Sequence, residues 1–135
     1  MTYKLFTDGG SRGNPGPAAY AAVLKDSAGK IVNQVGVFIG KATNNEAEYK
    51  GLIFGLEMVS DMNITEIECF LDSELVVKQL KGEYKVKNEK IKEFFGTVKT
   101  RTGKFKNITF NHVPREQNSD ADALVNKVLD SVELS

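Results

Sequence analysis

Cysteine is almost missing from this sequence: Cys69 is the single thiol in 135 residues. An internal disulfide framework and a thiolate-only metal cluster are therefore excluded. No run of 18 apolar residues occurs, so no membrane-spanning helix is expected. The opening residues MTYKLFTDGG lack the apolar stretch of a secretory signal, and a cytoplasmic location is the expectation. Net charge is absent too, with 18 Lys and Arg against 18 Asp and Glu. That balance excludes a chain dominated by positive charge but not a local basic face. There is no internal repeat, low-complexity tract or dividing linker, and nothing in the composition points to an obligate protein partner. What is present is 41% apolar and 27% charged residues, enough for one hydrophobic core. A single domain over 1–135 is expected.

Periodicity divides the chain into elements. Residues 2–8, TYKLFTD, read as a strand stopped by the glycine- and proline-dense GGSRGNPGP. Residues 18–25 and 30–39 read as an antiparallel hairpin around DSAG. From Thr43 the period becomes helical through Ala47, Leu52, Leu56, Val59 and Met62, and Thr43 with Glu46 forms a capping box. Gly51 and Gly55 on one face would let this helix lie close to a sheet. Residues 64–72 read as a buried parallel strand, SELVVKQLKG as a short helix ended by Gly82, and 88–99 as a third helix. Residues 105–113 alternate as a strand, and PREQNSDAD reads as a loop into a last helix with Ala121, Leu124, Val125, Val128 and Leu129 inward. The order β-β-β-α-β-α-α-β-α predicts an α/β fold: a mixed five-stranded sheet, antiparallel in its first three strands and then parallel, flanked by helices.

Four acidic residues occupy places that patterning does not favour. Asp8 ends the first strand, Asp72 ends the apolar strand ECFLD, Glu48 shares a helix stripe with Leu52, Gly55 and Val59, and Asp122 shares a face with Val125 and Leu129. Ordinary explanations exist for each: a turn cap for Asp8, a helix cap for Asp72, snorkelling for Glu48, a first-turn dipole contact for Asp122. Two of them, however, fall at the carboxyl ends of strands, the usual binding edge of α/β sheets. Convergence of all four would demand divalent cations, and hard oxygen ligands favour magnesium or manganese over zinc.

Four blocks carry a family likeness: FTDGGSRGNPGPAAYAAVL at 6–24, TNNEAEYKGLIFGLE at 43–57, LDSELVVKQLKGEY at 71–84 and HVPREQNSDADALVN at 112–126. In that order they make the sequence resemble type 1 ribonuclease H, in the compact archaeal and bacterial form that lacks a basic protrusion. The resemblance implies a ribonuclease H-like fold and an endonuclease acting on the RNA strand of RNA–DNA hybrids. It implies Asp8, Glu48, Asp72 and Asp122 as catalytic ligands of two Mg²⁺ ions, with Mn²⁺ as substitute. One ion would activate a water and the other stabilise the leaving 3′-oxygen, giving 5′-phosphate and 3′-hydroxyl ends. Thr43, Asn44 and Asn45 match the segment that meets the minor groove and its 2′-hydroxyls. Gly10, Ser11, Arg12 and Gly13 match a loop that meets the RNA strand, and Asn118 matches a backbone-contacting asparagine. His112 and Arg115 are candidate auxiliaries; a strand-end histidine without a chemical role is the ordinary reading of the first. Two alternatives stand beside the hybrid nuclease: a catalytically weak hybrid-binding module, and a nuclease with another substrate such as double-stranded RNA.

The zero net charge conceals a split. Between Lys78 and Lys106 lie ten basic and three acidic residues, a segment of +7, and the remainder of the chain is −7. A solvated helix face explains part of such a run. Next to a carboxylate site it reads as a cationic platform for nucleic-acid backbone, with Lys85 and Lys87 as candidate contacts.

Overall fold

The computed structural model describes residues 2–133; positions 1, 134 and 135 of the domain expected over 1–135 lie outside them. The chain runs β1 (Tyr3–Ser11), β2 (Gly16–Lys25), β3 (Ile31–Ala42), α1 (Asn44–Asp61), β4 (Glu66–Leu71), α2 (Glu74–Leu80), α3 (Glu89–Thr102), β5 (Asn107–His112), a 3-10 turn at Arg115–Gln117, and α4 (Ser119–Glu133). This is the expected element order. One sheet has the order β3-β2-β1-β4-β5, antiparallel in β1–β2 and β2–β3 and parallel in β1–β4 and β4–β5. Among the described residues no helix is long and apolar enough to cross a membrane.

Each face of the sheet has its own core. Leu5, Ala22 and Leu24 pack against Tyr49, Leu52, Leu56 and Val59 of α1, with Val76 of α2 and Ile91 and Val98 of α3 completing the cluster. On the opposite face Ala19, Ala21 and Val23 pack against Ala121, Val125 and Leu129 of α4. The alanines of β2 let helices approach the sheet from both sides. Gly51 and Gly55 do the same from the helix: a Cβ on Gly51 would lie 2.9 Å from the Asp8 carbonyl oxygen, and one on Gly55 would lie 3.1 Å from the Ala22 Cβ. Both glycines are weak helix formers, and close packing on the strand that carries Asp8 is what they provide.

The boundaries differ from the pattern where glycine or asparagine misleads. GGS does not stop β1, because Gly9, Gly10 and Ser11 continue its ladder opposite Tyr20, Ala19 and Ala18. Any side chain on Gly9 would run into the backbone of Ala47 and Glu48, so this glycine marks a close approach. β2 likewise starts earlier, at Gly16, and β3 continues past residue 39 to Ala42 through Gly40, whose φ of +75° accompanies a register shift opposite Ala18 and Ala19. β4 is shorter than 64–72 because the Ile64 N–H still donates to the Val59 carbonyl at the end of α1. β5 is shorter than 105–113 because Phe105 turns into the core after α3. The last helix begins at Ser119, inside the stretch PREQNSDAD, and Asp122 lies in its first turn.

Candidate active site

Asp8 and Asp72 emerge side by side because β1 and β4 are parallel. Phe6 pairs with Phe70, and the residues two positions further along each chain are the two aspartates. Glu48 comes from the second turn of α1, whose start is fixed by Thr43: its hydroxyl accepts from the Glu46 N–H at 3.2 Å. The Gly9 N–H donates to Glu48 Oε1 at 2.8 Å and ties the helix to the strand. Ligand atoms of Asp8, Glu48 and Asp72 all lie within 4.8 Å of one another. Asp8 and Glu48 are each 6% exposed, and Glu48 Oε2 is buried with no hydrogen-bond partner. A snorkelling Glu48 is thereby excluded. Asp72 is not the cap of α2 either, since the Ser73 hydroxyl accepts from the Val76 N–H.

Burial dominates the electrostatics. It pushes the Asp8 carboxyl up to about 6; the Glu48 carboxyl and, less, the Gly9 N–H oppose the rise, while Asp72 and Asp122 add to it. Burial also raises Glu48 well above the usual carboxylate range, and the neighbouring Asp8 raises it further. Asp72 is raised by burial and by the charge of Asp122, against the Asn118 amide and the Arg115 guanidinium. A bound cation would relieve these penalties, as protonation does, and an acidic trio with an orphaned buried oxygen suits a divalent ion bound through hard oxygen ligands.

The trio lies in a cleft of about 460 Å³ whose walls include Gly10, Ser11, Arg12, Asn44, Asn45, Arg115, Asp122 and Asn126. Asp122 therefore shares the cleft but stands outside the trio, with its Oδ1 accepting from Arg115 Nη2 at 3.2 Å. The Ser11 N–H donates to Asn44 Oδ1 at 2.7 Å, and the Asn44 N–H donates to Asn14 Oδ1 at 3.0 Å, which joins the β1–β2 turn to the start of α1. Gly13 shapes that turn with a φ of +98° and does not line the cleft.

The remaining expected site residues lie elsewhere. Thr43 sits beside the cleft in a second groove with Asn14, Asn88 and Ile91. His112 ends β5, exposed and outside the cleft. Lys85 and Lys87 are exposed on the segment between α2 and α3 and line neither groove. Asn118, expected as a nucleic-acid contact, is 1% exposed, and its Nδ2 donates to the Thr7 carbonyl at 2.8 Å. It fastens the entrance of α4 to β1 one residue before Asp8. Asn126 was not singled out by the pattern, although four residues after Asp122 is the next position on the same helix face.

Comparison with known proteins gives a consistent result. Residues 6–128 match the family described as Reverse transcriptase-like. The chain is 40% identical over 132 residues to the bifunctional protein Rv2228c of Mycobacterium tuberculosis, covering 97% of this chain and 36% of that protein. The chain thus spans about a third of the length of that curated relative. It superimposes with a TM-score of 0.94 on the crystal structure of RNase H1 from Halobacterium salinarum, at 41% identity and covering 97% of this chain and 99% of that one. It also matches LC11-RNase H1 in complex with an RNA/DNA hybrid, at a TM-score of 0.93, 40% identity and coverage of 98% and 99%.

Proposed function

Since the chain belongs to the type 1 ribonuclease H-like family, we propose that it is a metal-dependent endonuclease cutting the RNA strand of RNA–DNA hybrids. The observation that carries this reading is the convergence of Asp8, Glu48 and Asp72 from β1, α1 and β4 within 4.8 Å. The hybrid in the LC11 complex supports the choice of duplex. The short connection from Leu80 to Glu89 supports the compact form of the family.

Asp8, Glu48 and Asp72 would hold divalent ions, Asp122 would complete the set at the rim, and two Mg²⁺ with Mn²⁺ as substitute are proposed. Such ions, when bound, supply Lewis-acid polarisation of the scissile phosphate and activation of the attacking water. The chain's own part is positioning. Gly10 and Ser11 present a side-chain-poor wall to the backbone of the RNA strand, and Asn44 and Asn45 offer amide groups where a 2′-hydroxyl would lie. Arg115 places a guanidinium beside Asp122 in the same cleft. Neither cleft serine is set up as a nucleophile: Ser11 Oγ donates to the Ala42 carbonyl, and Ser73 Oγ caps α2. The proposed nucleophile is a water, as the family resemblance implies.

The test offers labelled RNA–DNA hybrid, double-stranded RNA and double-stranded DNA in Mg²⁺ or Mn²⁺ to the parent protein and to Asp8→Asn and Asp72→Asn. The expected outcome is metal-dependent cutting of the hybrid's RNA strand by the parent and near-complete loss in both variants. Hybrid binding without cutting in either metal would refute the nuclease reading in favour of a binding module. Preferential cutting of double-stranded RNA would move the substrate assignment.

A further inference from the structure

Arg12 faces the cleft from the β1–β2 turn, but its guanidinium is not free. Nη2 lies 2.7 Å from Asp130 Oδ1, and Nη1 lies 2.8 Å from Glu133 Oε2. Nη2 also donates to Asn126 Oδ1 at 3.2 Å, and Asn126 Nδ2 donates to the Asp122 carbonyl at 3.1 Å. Asp122, Asn126, Asp130 and Glu133 fall at successive steps of four, four and three along α4, so they form one stripe beside the cleft. The two arginines of the cleft wall, Arg12 and Arg115, are thus both held by carboxylates of this one helix.

Two carboxylate oxygens gripping separate nitrogens of one guanidinium reproduce the hydrogen-bond pattern that two non-bridging phosphate oxygens would make. Asp130 and Glu133 have side-chain exposures of 61% and 51%, and Arg12 of 32%, so the clasp stands in solvent at the cleft mouth. Exposed ion pairs are weak and exchange readily, whereas a polyanion arriving with many phosphates competes well for a guanidinium. We infer that Asp130 and Glu133 are affinity-setting residues. They occupy Arg12 as an internal stand-in for a nucleic-acid phosphate and must release it before the substrate backbone seats. The clasp rests on the nuclease reading for the identity of the strand, though not for its own geometry. Its consequence is weaker ground-state binding of substrate and product, and hence faster release.

The test compares the parent with Asp130→Asn/Glu133→Gln, with Arg12→Ala, and with the triple variant, after circular dichroism has shown each to be folded. Binding is read by fluorescence anisotropy in EDTA with a labelled RNA–DNA hybrid and, separately, with single-stranded DNA as a polyanion that need not be a substrate. KM and kcat are read on the hybrid in Mg²⁺. The double variant should bind hybrid roughly twofold to tenfold more tightly, the scale of losing one or two exposed ion pairs. Its log-log salt slope should steepen by about one phosphate contact. KM should fall, and under multiple turnover kcat should not rise. The gain should vanish in the triple variant, because without Arg12 there is nothing to release. An equal gain with and without Arg12 would reduce the effect to general repulsion and overturn the inference. So would unchanged affinity with a lower melting temperature, which would make the clasp a structural tie. If the hybrid is neither bound nor cut by the parent, the nuclease reading fails by itself. The clasp would then stand or fall on the Arg12 dependence of single-stranded DNA binding.

Discussion

Glu48 and Asp8 show how single side chains set the character of the cleft. Glu48 uses one oxygen to hold the Gly9 N–H and leaves the other buried and unpartnered. Glu48→Gln keeps an acceptor for Gly9 while removing a carboxyl whose ionisation burial and Asp8 oppose. The metal-free variant should therefore unfold at a higher urea concentration than the parent near neutral pH, with hydrolysis of hybrid lost. Asp8 gives a pH signature. Its carboxyl is raised to about 6 in the folded protein from the ordinary 3.8, so between those values the folded state binds more protons than the unfolded state. Stability of the metal-free protein should then fall as pH rises from about 4 through about 6, and this fall should be smaller in Asp8→Asn. Addition of Mg²⁺ above that window should raise the melting temperature of the parent, through binding to the folded state alone, and should do little for the variant. Urea titrations across pH and thermal melts with and without EDTA read both effects.

At the scale of elements, the site depends on how three structural pieces meet: the carboxyl ends of β1 and β4, the first turns of α1, and the entrance to α4. Asn118 joins the first and last of these through its bond to the Thr7 carbonyl. Asn118→Ala would leave a buried carbonyl unpaired and should destabilise the protein by about 1–3 kcal/mol, read as a lower urea midpoint. Much of this assembly was legible beforehand. The capping signal at Thr43 located α1, the alternation of periods gave the element order, and the four carboxylates stood out because their positions were unfavourable without a ligand. The unread parts have physical reasons. Gly9 and Gly10 look like a turn because the sequence does not reveal the α1 backbone pressed against them. Asn118 looks like a surface group because its partner lies 111 residues away. The separation of Asp122 from the tight trio, and the holding of Arg12 by α4, are tertiary facts that spacing along one helix does not contain.

Across the whole molecule, balanced charge resolves into two opposed regions. The acidic cleft lies among the residues outside 78–106, and the +7 segment supplies α3 and the exposed connection carrying Lys85 and Lys87. Some of these lysines are already engaged: Lys78 with Glu74 at 2.8 Å, and Lys90 with Glu46 at 3.3 Å. Lys85→Ala/Lys87→Ala should weaken binding of every duplex alike and lower the salt slope by about 1 for each phosphate no longer neutralised, without changing which strand is cut. The carboxylate cleft, by contrast, should decide the chemistry. The most direct measurement prebinds hybrid carrying a labelled RNA strand in EDTA, adds excess Mg²⁺, and identifies the ends of the products. Water-driven hydrolysis at Asp8, Glu48 and Asp72 predicts an intact strand until Mg²⁺ is added, and then fragments with 5′-phosphate and 3′-hydroxyl ends. Cutting in EDTA, or fragments ending in a 2′,3′-cyclic phosphate, would contradict it.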